Sequence, residues 1–512
     1  MEQAWPDSLL QNSRTVWVIA ALTIVLFLAT NLPWNLDDYD QAKQAFTSFE
    51  MIKEGHWLYQ RTPHERIATK PPLVGWFSAG FFEVTQSWDI AWRLPSLLAA
   101  GGLSILLFRA ANSAYGPIAC VIALSAFSFN LLTPRLATLV RTDMPLALVI
   151  FLIGLLIWQK IRNNEVWSFR ERLWTFGLLT AGMLIKGPIV YAFLLPGIAV
   201  FQWWRRKTEA ASAWPGWWPW IASLGVFLLW VIGGIQSVPA FYDQVVVREF
   251  MGRFGTTLHQ PKGFYFYLPH LLHKFAPWSI LLILLAVTAV RSIRRNSTNL
   301  VGQVDPVSGK KVGHRRLEIL TKISPDVFWL ICWSVGGLIA MSVIPSKRVD
   351  RIFPIVPPLC LLLSAQIGKP ALRGQLRPWS YRWSVAALFL SVLFSVCYSG
   401  SKILSGYREH RDALVKFGRA VCDSAAQHHW RYEAISGGDE GMLLYLQKTH
   451  FIKPAGAIAD WDRATLDALV VPSDQAVGFL GNLRNASLSS VQSTEKKGEP
   501  GKSYVLLTRA PR

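Results

Sequence analysis

Carboxylates and cations recur in this chain at places that suit one kind of chemistry. Asp37, Asp38 and Asp40 crowd the stretch NLDDYDQAKQAF, and Asp143 follows Arg141 in LVRTDMPLAL. Lys70 precedes two prolines in HERIATKPPLVGW, and Lys186 lies in LIKGPIV. Lys347, Arg348 and Arg351 share IPSKRVDRIFP, and Arg253 lies in VREFMGRFG. Lysine and arginine bind phosphate through charge-assisted hydrogen bonds. A carboxylate beside a phosphate site suits transfer from a phosphate leaving group. It takes the proton of an attacking hydroxyl while the cations stabilise the departing phosphate. The same residues have plainer uses. A single cation near a span end serves as a snorkelling side chain. The first acidic cluster serves equally as a solvated loop and helix cap.

The elements that must position these groups are membrane helices. Of 512 residues, 52% are hydrophobic and only 16% charged, with 24 Trp and 28 Phe. Apolar runs of about 20 residues span a bilayer core. The pattern predicts eleven such spans, near 16–33, 92–109, 117–134, 145–159, 173–185, 188–204, 218–238, 268–290, 327–344, 352–368 and 382–400. The first has no small-residue cleavage site and reads as a retained anchor. The stretch from Pro71 to Glu83 is too short to span and is expected to lie along the interface. Proline suits a first helical turn and holds the residue before it extended. Lys70 is therefore predicted at the mouth of a helix beginning near Pro71, where the helix dipole welcomes an anion.

Net charge is +20. In a soluble protein that would suggest nucleic acid. Here the basic residues gather in alternate loops: Lys160 to Arg172, Arg205 to Lys207, Arg291 to Lys322, and Lys369 to Arg382. Positive loops stay in the cytoplasm. Eleven spans starting inside then alternate without conflict and leave the tail outside, so the charge is a topology signal and no nucleic-acid partner is expected. Residues 34–91 form a long first outer loop and 92–400 a helical bundle. From 401 to 512 the runs YEAISGG, LDALVVP and SYVLLT alternate with polar helical stretches, as in a small α/β domain on the outer face. Five cysteines offer no CxxC pair and no evident disulfide. The cations at Lys70, Lys186, Arg253 and 347–351 thus lie on the side where positive charge is disfavoured, at four separate span mouths. Together they favour a phosphate site.

The order of motifs carries a resemblance. After the first-loop acidic cluster come EMIKEGHW, KPPL, WRLPS, RTDMPLAL, LIKGP, YFYLPHLLHKFAPW and SKRVDRIFPIVPP. This set, over roughly residues 10–400, resembles the bacterial lipid-linked-sugar glycosyltransferases of the GT-C class, in particular the aminoarabinose lipid A transferase and the protein O-mannosyltransferases (PMT-like). The resemblance implies a polyprenyl-phosphate sugar donor, inverting transfer, and a site between the outer loops and the bundle. It implies Asp40 as the first-loop catalytic aspartate and Asp143 as the second acidic position. It also implies Lys70, Lys186 and Arg253 at positions associated with the donor phosphate, to which the notable pair Lys347 and Arg348 adds. Two positions depart from the aminoarabinose branch. Thr69 stands where a glutamate precedes the KPP lysine, and Phe250 where a histidine follows Glu249. Those two residues are linked to a metal in that branch, and without them the resemblance assigns no cofactor. A divalent metal at that place lacks both expected ligands. His64, His259, His270 and His273 show no ligand spacing.

The expectation is an α-helical polytopic GT-C-like membrane protein with a C-terminal α/β domain, set in a bacterial inner membrane with its site facing outward. It would move a sugar from a polyprenyl phosphate to a lipid, glycan or protein acceptor. The alternative is a lipid-phosphate-binding transporter or flippase without chemistry. Broken helices at mid-membrane and matching halves would mark that class, and neither is evident in the sequence.

Overall fold

The computed structural model describes residues 10–30, 36, 39–206, 210–253, 262–301, 323–372, 378–437, 441–492 and 503–509. Asp37, Asp38 and His259 lie outside these residues, as do the side chains of Phe250 and Arg253. The helices, in chain order, are α1 (Ser13–Ala29), α2 (Tyr39–Glu54), α3 (Leu73–Thr85), α4 (Trp88–Ala91), α5 (Leu94–Tyr115), α6 (Pro117–Ser128), α7 (Thr133–Ala137), α8 (Asp143–Asn163), α9 (Phe169–Lys186) and α10 (Ile189–Arg205). They continue with α11 (Trp218–Ser237), α12 (Tyr267–Lys274), α13 (Trp278–Val301), α14 (Pro325–Val343), α15 (Val356–Leu372), α16 (Pro378–Arg408) and α17 (Ala413–His428).

Among the described residues, six helical stretches are long and apolar enough to cross a membrane: Trp88–Tyr115, α8, α11, α14, Val349–Leu372 and α16. Shorter apolar helices stand at α1, α3, α6 and α10. This is a multi-pass membrane protein. The run near 268–290, expected as one continuous span, is instead a bent pair. Phe264–Lys274 and Trp278–Thr288 meet at 104°. Pro277 cannot donate a backbone hydrogen bond, which interrupts the ladder there. The break is anchored from both sides: the Leu131 amide donates to the Lys274 carbonyl at 3.0 Å, and the Trp278 indole donates to the Phe129 carbonyl at 3.0 Å.

Helix lengths bring the polar span ends together. α8 runs 21 residues, about 31 Å at 1.5 Å per residue. Asn164, with φ 53°, turns the chain. Ser168 and Glu171 cap α9 reciprocally, and it returns over 18 residues. Lys186, at the end of α9, therefore arrives level with Asp143 at the start of α8. α14 rises to the same end, the chain turns through the 3₁₀ segment Val349–Ile355, and α15 descends. The α10–α14 pair packs through facing glycines. A Cβ on Gly336 would lie 2.7 Å from the Gly197 nitrogen, so a larger residue would part the helices.

The C-terminal part holds a four-stranded sheet in the order β1-β2-β4-β3: β1 (Tyr432–Ala434), β2 (Ala468–Pro472), β3 (Ala486–Gln492) and β4 (Tyr504–Arg509). The first two strands are parallel, and the other pairings antiparallel. The three apolar runs read as strands form β1, β2 and β4, and β3 is an addition. Alternate residues face opposite sides. Leu469, Val471, Val505 and Leu507 join a core with Trp461 and Phe479. Ala468, Val470, Tyr504 and Leu506 join another with Phe417, Met442 and Leu444. That second core continues into α2 through Ala42, Ala45, Phe46 and Phe49, and into Trp88 and Trp92.

Candidate active site

α2 is read differently on its two faces. Ala42, Ala45, Phe46 and Phe49 are buried against the C-terminal part, whereas Asp40, Lys43, Gln44 and Thr47 line a cavity of about 230 Å³ on the other side. The second set has the i, i+3, i+4, i+7 spacing of one helical face. A hairpin follows α2. Arg61 and Ile67 bridge in antiparallel fashion, and the Thr62 amide donates to the Arg66 carbonyl at 2.7 Å. Its Ile67 amide donates to the Gln244 side chain at 2.9 Å. Tyr59 and Trp230 tie it to α11 by reciprocal bonds to each other's neighbourhood, 3.0 Å to the Trp230 carbonyl and 3.1 Å to the Leu58 carbonyl. His64 and residues 66–70 thereby reach the cavity wall.

Lys70 lines the cavity, but α3 begins only at Leu73, with Pro72 as its N-cap. No first-turn residue of α3 lines the cavity, so the lysine and not the helix mouth faces it. The other walls come from four further stretches: Arg141 and Asp143; Lys186; Gln244, Arg248 and Glu249; and Arg348, Asp350 and Arg351. Eight cationic side chains thus face four carboxylates, an excess that suits an anion.

The ion pairs are specific. Lys186 binds Asp143 at 2.5 Å, both buried. Arg348 contacts the Asp40 carboxylate directly. Arg141 binds Asp350 at 2.8 Å and stands 3.9 Å from Asp40. Burial alone would raise the Asp40 carboxyl. The charges of Lys70 and Arg348, with Lys43, outweigh it and hold that group below its ordinary value. Asp40 is therefore an ionised, well-oriented carboxylate at neutral pH.

The tertiary structure brings together Asp40, Asp143, Lys70, Lys186 and Arg348. Lys347 stands apart from this wall. The residue is buried, its ammonium donates to the Lys262 carbonyl at 2.9 Å, and desolvation lowers its pKa. Arg253 closes the short 3₁₀ turn Met251–Arg253, and its side chain lies outside the described residues. Thr69 lines the cavity. Among the described residues no three His, Cys, Asp or Glu side chains gather as a metal site. Lys43, Arg66, Arg248 and Asp350 had no distinguishing signal in the sequence, since a lone charge in a loop reads as solvated.

Residues 69–232 match the family model for dolichyl-phosphate-mannose-protein mannosyltransferase. The fold aligns with the crystal structure of ArnT from Cupriavidus metallidurans bound to undecaprenyl phosphate. The TM-score is 0.62 at 16% identity, over 97% of this chain and 99% of that one. The chain resembles the GT-C lipid-linked-sugar transferases and has their fold. An undecaprenyl phosphate-alpha-4-amino-4-deoxy-L-arabinose arabinosyl transferase of Shewanella sediminis is 25% identical over 68% of this chain. One from Yersinia enterocolitica is 23% identical over 80%. The chain spans 59% of the length of the Shewanella relative and 72% of the Yersinia one.

Proposed function

We propose that this GT-C relative is a glycosyltransferase that takes its sugar from a polyprenyl phosphate. The observation that carries the reading is the Asp40 carboxylate in a cavity walled by Lys70, Lys186, Arg348 and Arg351. An acceptor oxygen attacks the anomeric carbon from the face opposite the phosphate. The C–O bond to the phosphate breaks with inversion, and the phosphate leaves with the electron pair. Asp40 takes the acceptor's proton when the acceptor is a hydroxyl. The cations neutralise the charge that grows on the departing phosphate. Arg348 has a double part here. A bound phosphate competes for its guanidinium, which loosens its hold on Asp40 and makes that carboxylate more basic as the donor enters. Asp143 serves by keeping the buried Lys186 ammonium in place, since an unpaired buried charge is costly.

The relatives are named for undecaprenyl phosphate-linked aminoarabinose, and transfer of that sugar to a lipid acceptor is the finer form of this reading. Thr69, where that branch has a glutamate, is a point at which this chain departs from it. The protein sits in the bacterial inner membrane, with residues 1–400 as the transferase unit and residues 401–512 as an α/β unit, both site and tail facing outward. A flippase reading would draw on the bent pair α12–α13. That break lies beside Phe129 and Leu131, just beyond the end of α6 and at the cavity's end of the bundle. It is not the mid-membrane break that alternating access uses. The test is mass spectrometry of envelope lipids and glycans from cells with and without the protein, paired with undecaprenyl phosphate binding to purified protein. Loss of one glycosylated species together with binding supports transfer. Binding with an unchanged envelope would overturn it in favour of carriage.

A further inference from the structure

A second cavity, of about 560 Å³, lies at the other end of the bundle from Asp40. α8 joins the two: Asp143 at its start lines the first, and Arg162 at its end lines the second. Tyr115 ends α5, Trp204 stands near the end of α10, Asp326 near the start of α14 and Lys369 near the end of α15, and all four line the same space. Asp326 is the one carboxylate among the lining residues, and its oxygens are engaged from within the protein. The Tyr115 hydroxyl donates to one at 2.9 Å and the Lys369 ammonium to the other at 3.0 Å. Ser324 fixes Lys369 further at 2.5 Å, and its side chain is 30% exposed against 11% for Asp326. The acid is therefore tucked behind the lysine. Arg162 is exposed and yet held in place. Its guanidinium donates to the Ser113 carbonyl at 3.0 Å and lies over the Trp158 ring, 5.3 Å from the centroid. A guanidinium has several further N–H donors to offer. Two cations and one internally bonded carboxylate make a positive lining. Ala114, Ile161, Trp204 and Ile323 make the rest of it largely apolar. Such a lining fits an anionic head joined to a hydrocarbon body.

Its depth points to a lipid. Trp203, next to Trp204, and Phe169, Trp174 and Trp217, at the starts of α9 and α11, are all more than half exposed at this end of the bundle. Leu372, three residues beyond Lys369, is too. Exposed aromatic side chains at one level mark the boundary between membrane and water, where phospholipid phosphates lie. We propose that this cavity binds the headgroup of an anionic phospholipid of the cytoplasmic leaflet, with the phosphate on Arg162 and Lys369 and the glycerol end against Ile161 and Trp204. The leaflet follows from the orientation proposed above, whereas the binding itself does not depend on the transfer reading. A lipid seated there ties together the ends of α5, α8, α10, α14 and α15, and so stabilises the folded bundle.

The test uses delipidated full-length protein in a neutral detergent, with dioleoyl phosphatidylglycerol as the probe. Native mass spectrometry counts bound lipid, and melting temperature reads its effect. Phosphatidylglycerol should remain bound and raise the melting temperature by about 3 °C or more. Phosphatidylcholine with the same chains, and inorganic phosphate, should each raise it by less than about 1 °C. Arg162→Gln should weaken phosphatidylglycerol binding about tenfold, as expected for losing a hydrogen bond between charged groups. Ala114→Phe, which fills the cavity without touching a charge, should abolish it. Lys70→Ala, in the cavity around Asp40, should leave the shift as it is. An equal shift with phosphatidylcholine, or a shift unaltered in both Arg162→Gln and Ala114→Phe, would overturn the proposal. A shift matched by inorganic phosphate would overturn it in favour of a water-soluble phosphate compound. A shift lost only in Lys70→Ala would overturn it by moving the lipid to the catalytic cavity.

Discussion

Asp40 and Lys70 carry the most weight at the scale of single residues. Asp40→Asn keeps size and removes charge, so product formation should fall roughly a hundredfold or more at equal expression. Near-normal product would move the role to another carboxylate. The pH dependence has a definite sign. The folded-state pKa of Asp40 lies below its unfolded value of 3.8. Its ion pairs therefore add stability that is full above that value and lost as pH falls through the folded value. Melting curves of the protein and of Asp40→Asn should converge only on the acid side, below about pH 4. Divergence that grows with acidity would show the wrong sign. Lys70→Ala should weaken undecaprenyl phosphate binding by roughly ten- to a hundred-and-fifty-fold, the worth of one hydrogen bond to a charged group. Lys70→Arg should recover part of that, since the charge survives and the reach changes. A large fall in melting temperature with binding intact would make Lys70 a structural residue.

Among the elements, α2 is the one on which the site turns. It is amphipathic in an unusual sense, with one face against the C-terminal part and the other in the cavity. Phe46 and Phe49 are both fully buried, their rings 6.1 Å apart, and Phe49 meets Trp88 edge-on at 5.6 Å. Phe49→Ala removes a buried ring from this junction and should cost about 3–5 kcal/mol, read as a lowered melting temperature in detergent. Product should fall with it, because the helix that carries Asp40 loses its backing. A loss under about 1 kcal/mol would mean that the hairpin and bundle alone hold α2. The α8–α9 hairpin plays a parallel part, since its two lengths set Lys186 level with Asp143.

For the whole molecule, the question is which side each end faces. The cavity collects the starts of α2 and α8, the end of α9 and the segment between α14 and α15, all at one end of the bundle. The C-terminal part is seated at that same end. Tyr445 accepts from the Leu36 amide at 3.1 Å, Thr449 donates to Glu54 at 2.6 Å, and the Phe451 ring stacks on His64 at 5.8 Å. A reporter fused after residue 300 should mark the cytoplasm, and one after residue 420 the outer side, following the basic run from Arg291 to Lys322. Both reporters on one side would break the common orientation of tail and cavity.

Hydropathy and charge are properties of short stretches, so the amino-acid order by itself determined the membrane class, the polar span mouths and the presence of cations there. It also marked three of the four strands, because a buried strand is a local apolar run. The long α8, α14 and α16 fall where the apolar runs predicted them, whereas the bent pair α12–α13 does not, because a run's hydropathy is blind to the angle at a proline. Which charges meet was decided only by the tertiary structure. Lys347 and Arg348 are neighbours in the chain and look alike in it. One turns to the Lys262 carbonyl and the other to Asp40, because successive side chains on a non-helical backbone point different ways. Asp143 and Lys186 are 43 residues apart, and only the paired helix lengths bring them into contact. Asp350 gave no signal beyond being one acid among basic neighbours. Its grip on Arg141 follows from a turn between two spans and a loop pinned by Ser96, and contacts between distant segments are set by packing, which no single stretch contains.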